Sequence, residues 1–330
     1  MLKQNLKKLN KFIPFQAKFP LPFVIPLYHC ISDEHLPHLK QVINYKNTKE
    51  FEKDLDEMSK KFDFVEWDFF KENYNKSHKK PIAMLTFDDG LIEFKDVVLP
   101  VLKRKGIYAI NFVNPAFVDN SEMMFRFKAS LILEKFKNNN YKVSPSIQKF
   151  LNLTKNTREE ITGKVQSISY LEKEKLDILS VYSELNFKDY QSKNKIYMSL
   201  EDLQLVKNDG FGIAAHSWDH PYYFELSLEQ QLENTQKSLD FMTENNFVND
   251  AFAFPFTDHK VSKYFFQKLF DHNENLKLTF GISGIKIDEF PKNLHRIPME
   301  NGFSAKEEIS FEKNYYQIKN LLNKNILQRS

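Results

Sequence analysis

The sequence predicts an α/β fold: a parallel sheet or barrel with helices outside it, interrupted by a helical insertion. Three observations lead there. Short apolar, β-rich runs alternate with longer segments of helical periodicity. Two polar clusters, Thr86–Gly90 and His216–His220, each follow directly on an apolar run, as loops at the carboxyl ends of parallel strands do. The 330 residues are 42% hydrophobic, enough for one large core plus an insertion.

The expected strands, in order, are Phe23–Tyr28, Phe62–Val65, Ile82–Phe87, Ile107–Val113, Gly212–Ala215, Ala251–Phe256, Leu278–Ile282 and Leu294–Pro298. Thr48 is the expected N-cap of a helix over Lys49–Lys61, where Phe51, Leu55 and Met58 recur at helical spacing. After Gly90, the residues Phe94, Val97, Val98, Val101 and Leu102 share one helix face. Pro100 predicts a kink in that helix and Gly106 its end.

Residues 118–197 differ in character. They are rich in Lys, Glu, Asn and Leu, helical in period and poor in strand signals. Asn138-Asn139-Asn140 and Ser144-Pro145-Ser146 read as loops within them. The stretch is long for one crossover, so it is expected to form a lid or side subdomain within a single catalytic domain spanning 1–330. Ser227–Gln230 is a capping-box start for a helix carrying Leu228, Leu232, Leu239 and Met242 on one face. Ser304–Glu307 opens another, running through Tyr315, Ile318, Leu321 and Leu322. The polar tail Asn323–Ser330 is expected to fray.

Composition excludes some functions. A net charge of +3 is too mild for nucleic-acid binding. Cys30 is the single cysteine, so no internal disulfide forms, which fits a reducing compartment and a cytoplasmic protein. No run approaches ~18 apolar residues, so no transmembrane helix is expected. The first residues are basic and aromatic, but Pro14, Gln16, Lys18, Pro20 and Pro22 interrupt them. They read as a frayed start with peripheral membrane contact as the alternative, not as a signal peptide. Nothing signals an oligomeric state.

The chemistry concentrates in the two polar clusters. Asp88 and Asp89 are adjacent at a strand end, so their carboxylates point in different directions and can take separate tasks. Gly90 lets the chain turn sharply after them. The competing reading is a helix N-cap. His216 and His220 stand at i, i+4, the spacing of paired imidazole ligands on one helical turn, which Pro221 keeps short. The competing reading is a pair of hydrogen-bonded core histidines. Together the clusters supply two carboxylates and two imidazoles: three metal ligands and one carboxylate left as a base. A His₂-carboxylate set with open positions suits Zn²⁺ among the common divalent metals.

These residues resemble the two signature motifs of the polysaccharide deacetylases (carbohydrate esterase family four): the aspartate-aspartate-glycine strand end and the H-S/T-x-x-H segment. Tyr28-His29 and Ala251–Phe256 are similar to the family too. The resemblance implies a distorted (β/α)₇ barrel, a divalent metal and hydrolysis of an N-acetyl (or O-acetyl) group on a sugar. Carried over, Asp89, His216 and His220 hold the metal and Asp88 is the general base. A backbone N–H just after Phe256 helps stabilise the oxyanion.

Two departures stand out. The family's arginine near the third-motif proline is missing beside Pro255, and Arg296 is expected to supply that charge. The late-strand acid would be His295, but neighbours on a strand face opposite ways. With Arg296 inward, His29 or His259 becomes the acid. Trp218, Tyr222, Pro255 and Phe256 are the candidate substrate contacts, with packing of the loop as the alternative for the aromatic pair. His35 and His38 read as a polar loop at the barrel mouth rather than a second metal site.

The function expected is a metal-dependent hydrolase acting on an acetylated carbohydrate: a polysaccharide, a lipid-linked glycan or a nucleotide-sugar precursor of surface polysaccharide. The rivals are a barrel hydrolase of another amide (formamide, ureido group or cyclic imide) and a non-catalytic glycan-binding scaffold.

Overall fold

A computed structural model of the protein describes residues 19–137 and 143–329. Eight short strands among them form the main sheet: β1 (Pro26–Tyr28), β2 (Leu85–Asp88), β3 (Ala109–Val113), β4 (Gly212–Ala215), β5 (Ala251–Ala253), β6 (Leu278–Gly281), β7 (Asn293–His295) and β8 (Ile297–Pro298). Each of β1 to β7 pairs in parallel with its neighbour in the chain, and β8 pairs in parallel with β1.

Only Arg296 separates β7 from β8, so the chain itself bridges the two sheet edges. The Arg296 N–H donates to the Gly281 carbonyl (3.0 Å), and the Ile297 N–H donates to Ile25 on the far side (2.8 Å). The result is a nearly closed barrel. Taken as one broken stave, β7 and β8 give the seven-stave count.

Strand alternation sorts the apolar residues into two layers. Met84, Ile110, Phe112, Ala214, Ala253, Phe280 and Leu294 cluster together. Their chain neighbours Leu85, Phe87, Val113, Ile213, Ala215, Phe252 and Phe254 join the larger cluster under the helices. Asp88, His216 and Arg296 follow the first of these sets in phase, so they crown the inner layer.

Several local expectations need correction. The first helix is Thr48–Ser59 and its cap is Asn47, one residue earlier than Thr48. The Asn47 side chain accepts the Glu50 N–H while Glu50 reaches back to Asn47. Asp63–Phe64 lies in a separate three-stranded sheet with Phe23–Val24 and Ile82–Ala83, not in the barrel. The kink expected at Pro100 takes the form of a π-helical turn, Phe94–Val98. It leaves Pro100 in the first turn of Leu99–Lys105, where its missing N–H costs nothing. Ser144 is a helix cap rather than a loop residue, with Pro145 at the first helical position. The capping boxes at Ser227 and Ser304 are present.

The tail does not fray. Ile326–Leu327 pairs with Ile287–Asp288, and Arg329 is buried against two carboxylates. Its polarity signalled solvent, whereas its charge has an interior partner.

Between β3 and β4 the described residues form helices Phe125–Phe136, Pro145–Leu151, Arg158–Gln166, Glu174–Tyr182 and Phe187–Lys193. Phe127, Ile132, Ile147, Val165, Leu176 and Leu179 make their core. The same cluster takes in Cys30, Leu39 and Leu91 from the barrel-mouth loops, so this region is seated on the mouth. The basic start of the chain and Asn138-Asn139-Asn140 lie outside the described residues. Among those described, no helix is long and apolar enough to cross a membrane.

Candidate active site

Asp88 closes β2. Asp89 and Gly90 then take left-handed conformations (φ 75° and 67°), turning the chain sharply away. A side chain on Gly90 would also meet Val113 at 3.0 Å. His216 follows β4, and its Nδ1 lies 2.9 Å from the Ala253 carbonyl. That bond places the hydrogen on Nδ1 and leaves the Nε2 lone pair facing the site.

The loop to His220 is not the helical turn expected from the i, i+4 spacing. Ser217 and His220 are both left-handed (φ 69° and 60°), and Ser217 Oγ accepts the His220 N–H. Asn114, just past β3, donates its amide to the carbonyls of His216 and Ser217 and fixes this shape. No sequence motif pointed to Asn114.

The turn brings the predicted ligands together. Nε2 of His220 and of His216 lie 3.2 and 3.7 Å from Asp89 Oδ1. One atom from each residue falls within 4.8 Å of the others, and all three residues are buried. Asp89 Oδ1 nevertheless has no hydrogen-bond partner, and neither does His220 Nδ1. A buried carboxylate oxygen left without a partner is costly unless a cation sits beside it. An N₂O donor set of this kind fits Zn²⁺ or a similar divalent ion.

Charge supports the fit. Burial pushes the Asp89 carboxyl up, but the imidazoles of His220, His29 and His216 more than reverse this and hold it well below the usual range. Burial brings His216 down to about 4, so it is neutral at pH 7, as a ligand must be.

Asp88 has a different partner. Arg296 grips it with both terminal nitrogens, Nη1 to Oδ1 at 2.6 Å and Nη2 to Oδ2 at 2.8 Å. The arginine is fully buried, at 0% exposure, and this bidentate pair fixes the orientation of the carboxylate. Asp88 Oδ2 stands 3.6 Å from His216 Nε2, beside the three converging residues but not among them. The arginine absent from the Pro255 segment is thus supplied from the barrel seam.

His295 is corrected. It faces away from Arg296, with Nε2 2.9 Å from Asp288 Oδ2 and Nδ1 3.9 Å from Asp258 Oδ2. Adjacent positions on an extended chain cannot both enter one pocket. His259 is exposed on the loop after Phe256.

His29, just past β1, is held by Glu300 instead. Its Nδ1 lies 2.6 Å from Glu300 Oε2, and Glu300 also accepts the backbone N–H groups of His29 and Cys30. Burial lowers the imidazole's proton affinity, but Glu300, with Asp89 and Asp88 behind it, raises the pKa to about 9. His29 is therefore an imidazolium at neutral pH, and its side chain keeps 26% exposure. Sequence reasoning missed Glu300, which follows β8 beside the β1 end that carries His29.

The other candidates divide. The Phe256 ring sits edge-on to His220 at 4.2 Å, Tyr222 stacks on Phe256 at 4.1 Å, and Pro255 is buried next to them. Trp218 lines a separate surface groove with Leu171, Leu226 and Asn234. The N–H after Phe256 is engaged, donated by Thr257 to the Pro255 carbonyl at 2.5 Å, so it is not the free oxyanion donor expected. His38 is buried against Tyr190 and brought down to about 4 by burial, and His35 faces Glu134.

Comparisons with known proteins identify the family and the fold. Residues 75–262 match the family model described as polysaccharide deacetylase. The fold is similar to that of the Streptococcus pyogenes deacetylase PplD, solved with acetate. That match has a TM-score of 0.56 at 16% identity and covers 88% of this chain and 97% of that one. It is also similar to IcaB from Ammonifex degensii, with a TM-score of 0.53 at 13% identity over 88% and 97%. No curated protein sequence matches the chain.

Proposed function

The chain belongs to the polysaccharide deacetylase family and is a sugar deacetylase, a hydrolase of non-peptide carbon–nitrogen bonds; from that premise we propose a metal-dependent reaction and a role for each site residue. Asp89, His216 and His220 would hold the ion. When bound, a divalent ion there supplies a water of lowered pKa and polarises the acetyl carbonyl.

The chain's own groups do the proton work. Asp88, oriented by the Arg296 fork, accepts the proton of the attacking water. His29 is the acid: Glu300 occupies its Nδ1 and keeps the ring charged, leaving Nε2 to protonate the departing sugar nitrogen. Phe256 and Tyr222 offer an apolar face to the sugar ring.

The substrate is an N-acetylated (or O-acetylated) sugar of a polysaccharide, lipid-linked glycan or nucleotide-sugar. A cytoplasmic or membrane-peripheral location goes with this reading, on the strength of Cys30 being the lone cysteine.

The observation that carries the proposal is the buried convergence of Asp89, His216 and His220, with Asp89 Oδ1 unpartnered, beside an arginine-clamped carboxylate. The test is acetate release from N-acetylglucosamine oligomers, lost with chelator and restored with Zn²⁺. Chelator-resistant turnover, or release of formate from N-formyl sugars in preference to acetate, would count against it.

A further inference from the structure

Resting on the deacetylase reading, we propose that Arg126 reads an anionic group, a phosphate or a carboxylate, on the sugar unit next to the one that is deacetylated. The insertion thereby makes an acidic glycan the preferred substrate.

The His220 ring meets the edge of Phe256 at 4.2 Å, and Phe256 stacks on Tyr222 at 4.1 Å. The Arg126 guanidinium lies 5.3 Å from the Tyr222 ring centre and 4.6 Å from that of Phe125, at the start of the insertion's first helix. Phe125 in turn sets its ring against Phe256 and Tyr222, both at 6.0 Å. One continuous aromatic wall therefore connects the metal cluster to a cation.

That cation is half-buried and has no counter-charge. Its Nε and Nη2 donate to the Tyr222 hydroxyl (3.2 and 3.1 Å), and Nη1 donates to the Gln166 carbonyl (2.8 Å). All these acceptors are neutral. Among the described residues no carboxylate lies within ion-pair distance of Arg126, whereas Arg104, Arg296 and Arg329 each hold one. Three contacts leave one N–H on each terminal nitrogen unspent, out of the five a guanidinium carries.

The stacked rings hold the guanidinium plane in place, so little side-chain freedom is lost when an anion docks. A fork of this kind matches phosphate and carboxylate alike. A sugar lying on the Phe256–Tyr222 face with its acetyl group at the metal cluster would bring its neighbour to Arg126.

The test compares wild type, Arg126→Gln and Arg126→Lys on three substrates. These are a neutral N-acetylglucosamine oligomer, an N-acetylglucosamine–glucuronic acid disaccharide and N-acetylglucosamine 1-phosphate. Wild type should prefer one of the anionic substrates, and added salt should weaken the preference. Arg126→Gln should cut the anionic-over-neutral ratio of kcat/KM by roughly tenfold, through KM, with Arg126→Lys between. Which anionic arm responds identifies phosphate or carboxylate.

Absence of any wild-type preference, or an equal loss on all three substrates, would overturn the proposal. Equilibrium binding of the deacetylated glucosamine–glucuronic acid and of glucosamine 1-phosphate is measured in parallel and needs no turnover. If no substrate is cleaved but Arg126→Gln still weakens that binding, the deacetylase reading fails and the anion site stands. Equal binding to both proteins removes the anion site.

Discussion

Two buried clusters in this barrel have nearly the same composition and opposite meaning. Asp89, His216 and His220 converge within 4.8 Å, and so do Asp258, Asp288 and His295. In the second, a guanidinium and an amide already reach the centre, although Asp258 Oδ1 and His295 Nδ1 lack partners there. Arg329 reaches both carboxylates and the Asp258 carbonyl, and Asn293 donates to both aspartates at 3.0 Å. In the first, Asp89 Oδ1 likewise has no hydrogen-bond partner, but among the described residues no Arg, Lys or Asn side chain reaches it. Residue types therefore do not make a metal centre. What distinguishes one is a positive charge still owed to the cluster.

The comparison is sharpest where the first cluster meets Asp88, the proposed base. Asp88→Asn should retain the metal and lose about 10³- to 10⁴-fold in kcat, measured by acetate release beside metal content. His29→Gln should cost less, about 10²- to 10³-fold. In wild type the rate should fall as pH rises through about 9, where His29 loses its proton, and the variant should lack that limb. An unchanged alkaline limb in His29→Gln would remove His29 as the acid.

The second cluster should respond in stability instead. Arg329→Gln leaves two buried carboxylates short of a partner and should cost about 3–5 kcal/mol in denaturant unfolding. Burial pushes Asp258 and Asp288 up, and His295 and Arg329 more than compensate, so both carboxyls lie below their ordinary values. The stability they contribute is therefore full above the unfolded carboxylate pKa of about 4 and is lost as pH falls below it. Arg329→Gln should flatten that acid-side loss. A large drop in turnover per folded molecule, with stability intact, would blur the distinction between the clusters.

The sequence exposed the first cluster because its ligands sit in two unbroken runs beside apolar strands, Thr86–Gly90 and His216–His220. Strand alternation then separated Arg296 from His295 correctly, since a period of two leaves only one of them inward. The partners lying far along the chain stayed hidden. Glu300 meets His29 across 271 residues, and Asn114 shapes the His216–His220 loop from another strand. Arg329 looked solvated because a polar tail usually is, and its place depends on carboxylates brought together only by the closed barrel. The left-handed residues Ser217 and His220 were equally out of reach, because Ser does not signal a positive φ and the enrichment of His there is too weak to place one residue.

The most direct test is elemental analysis of purified wild type beside His216→Ala and His295→Ala. The account predicts one bound divalent ion per chain in wild type, none in His216→Ala and an unchanged content in His295→Ala. Metal retained in His216→Ala but lost from His295→Ala would contradict it, placing the ion in the cluster that Arg329 fills.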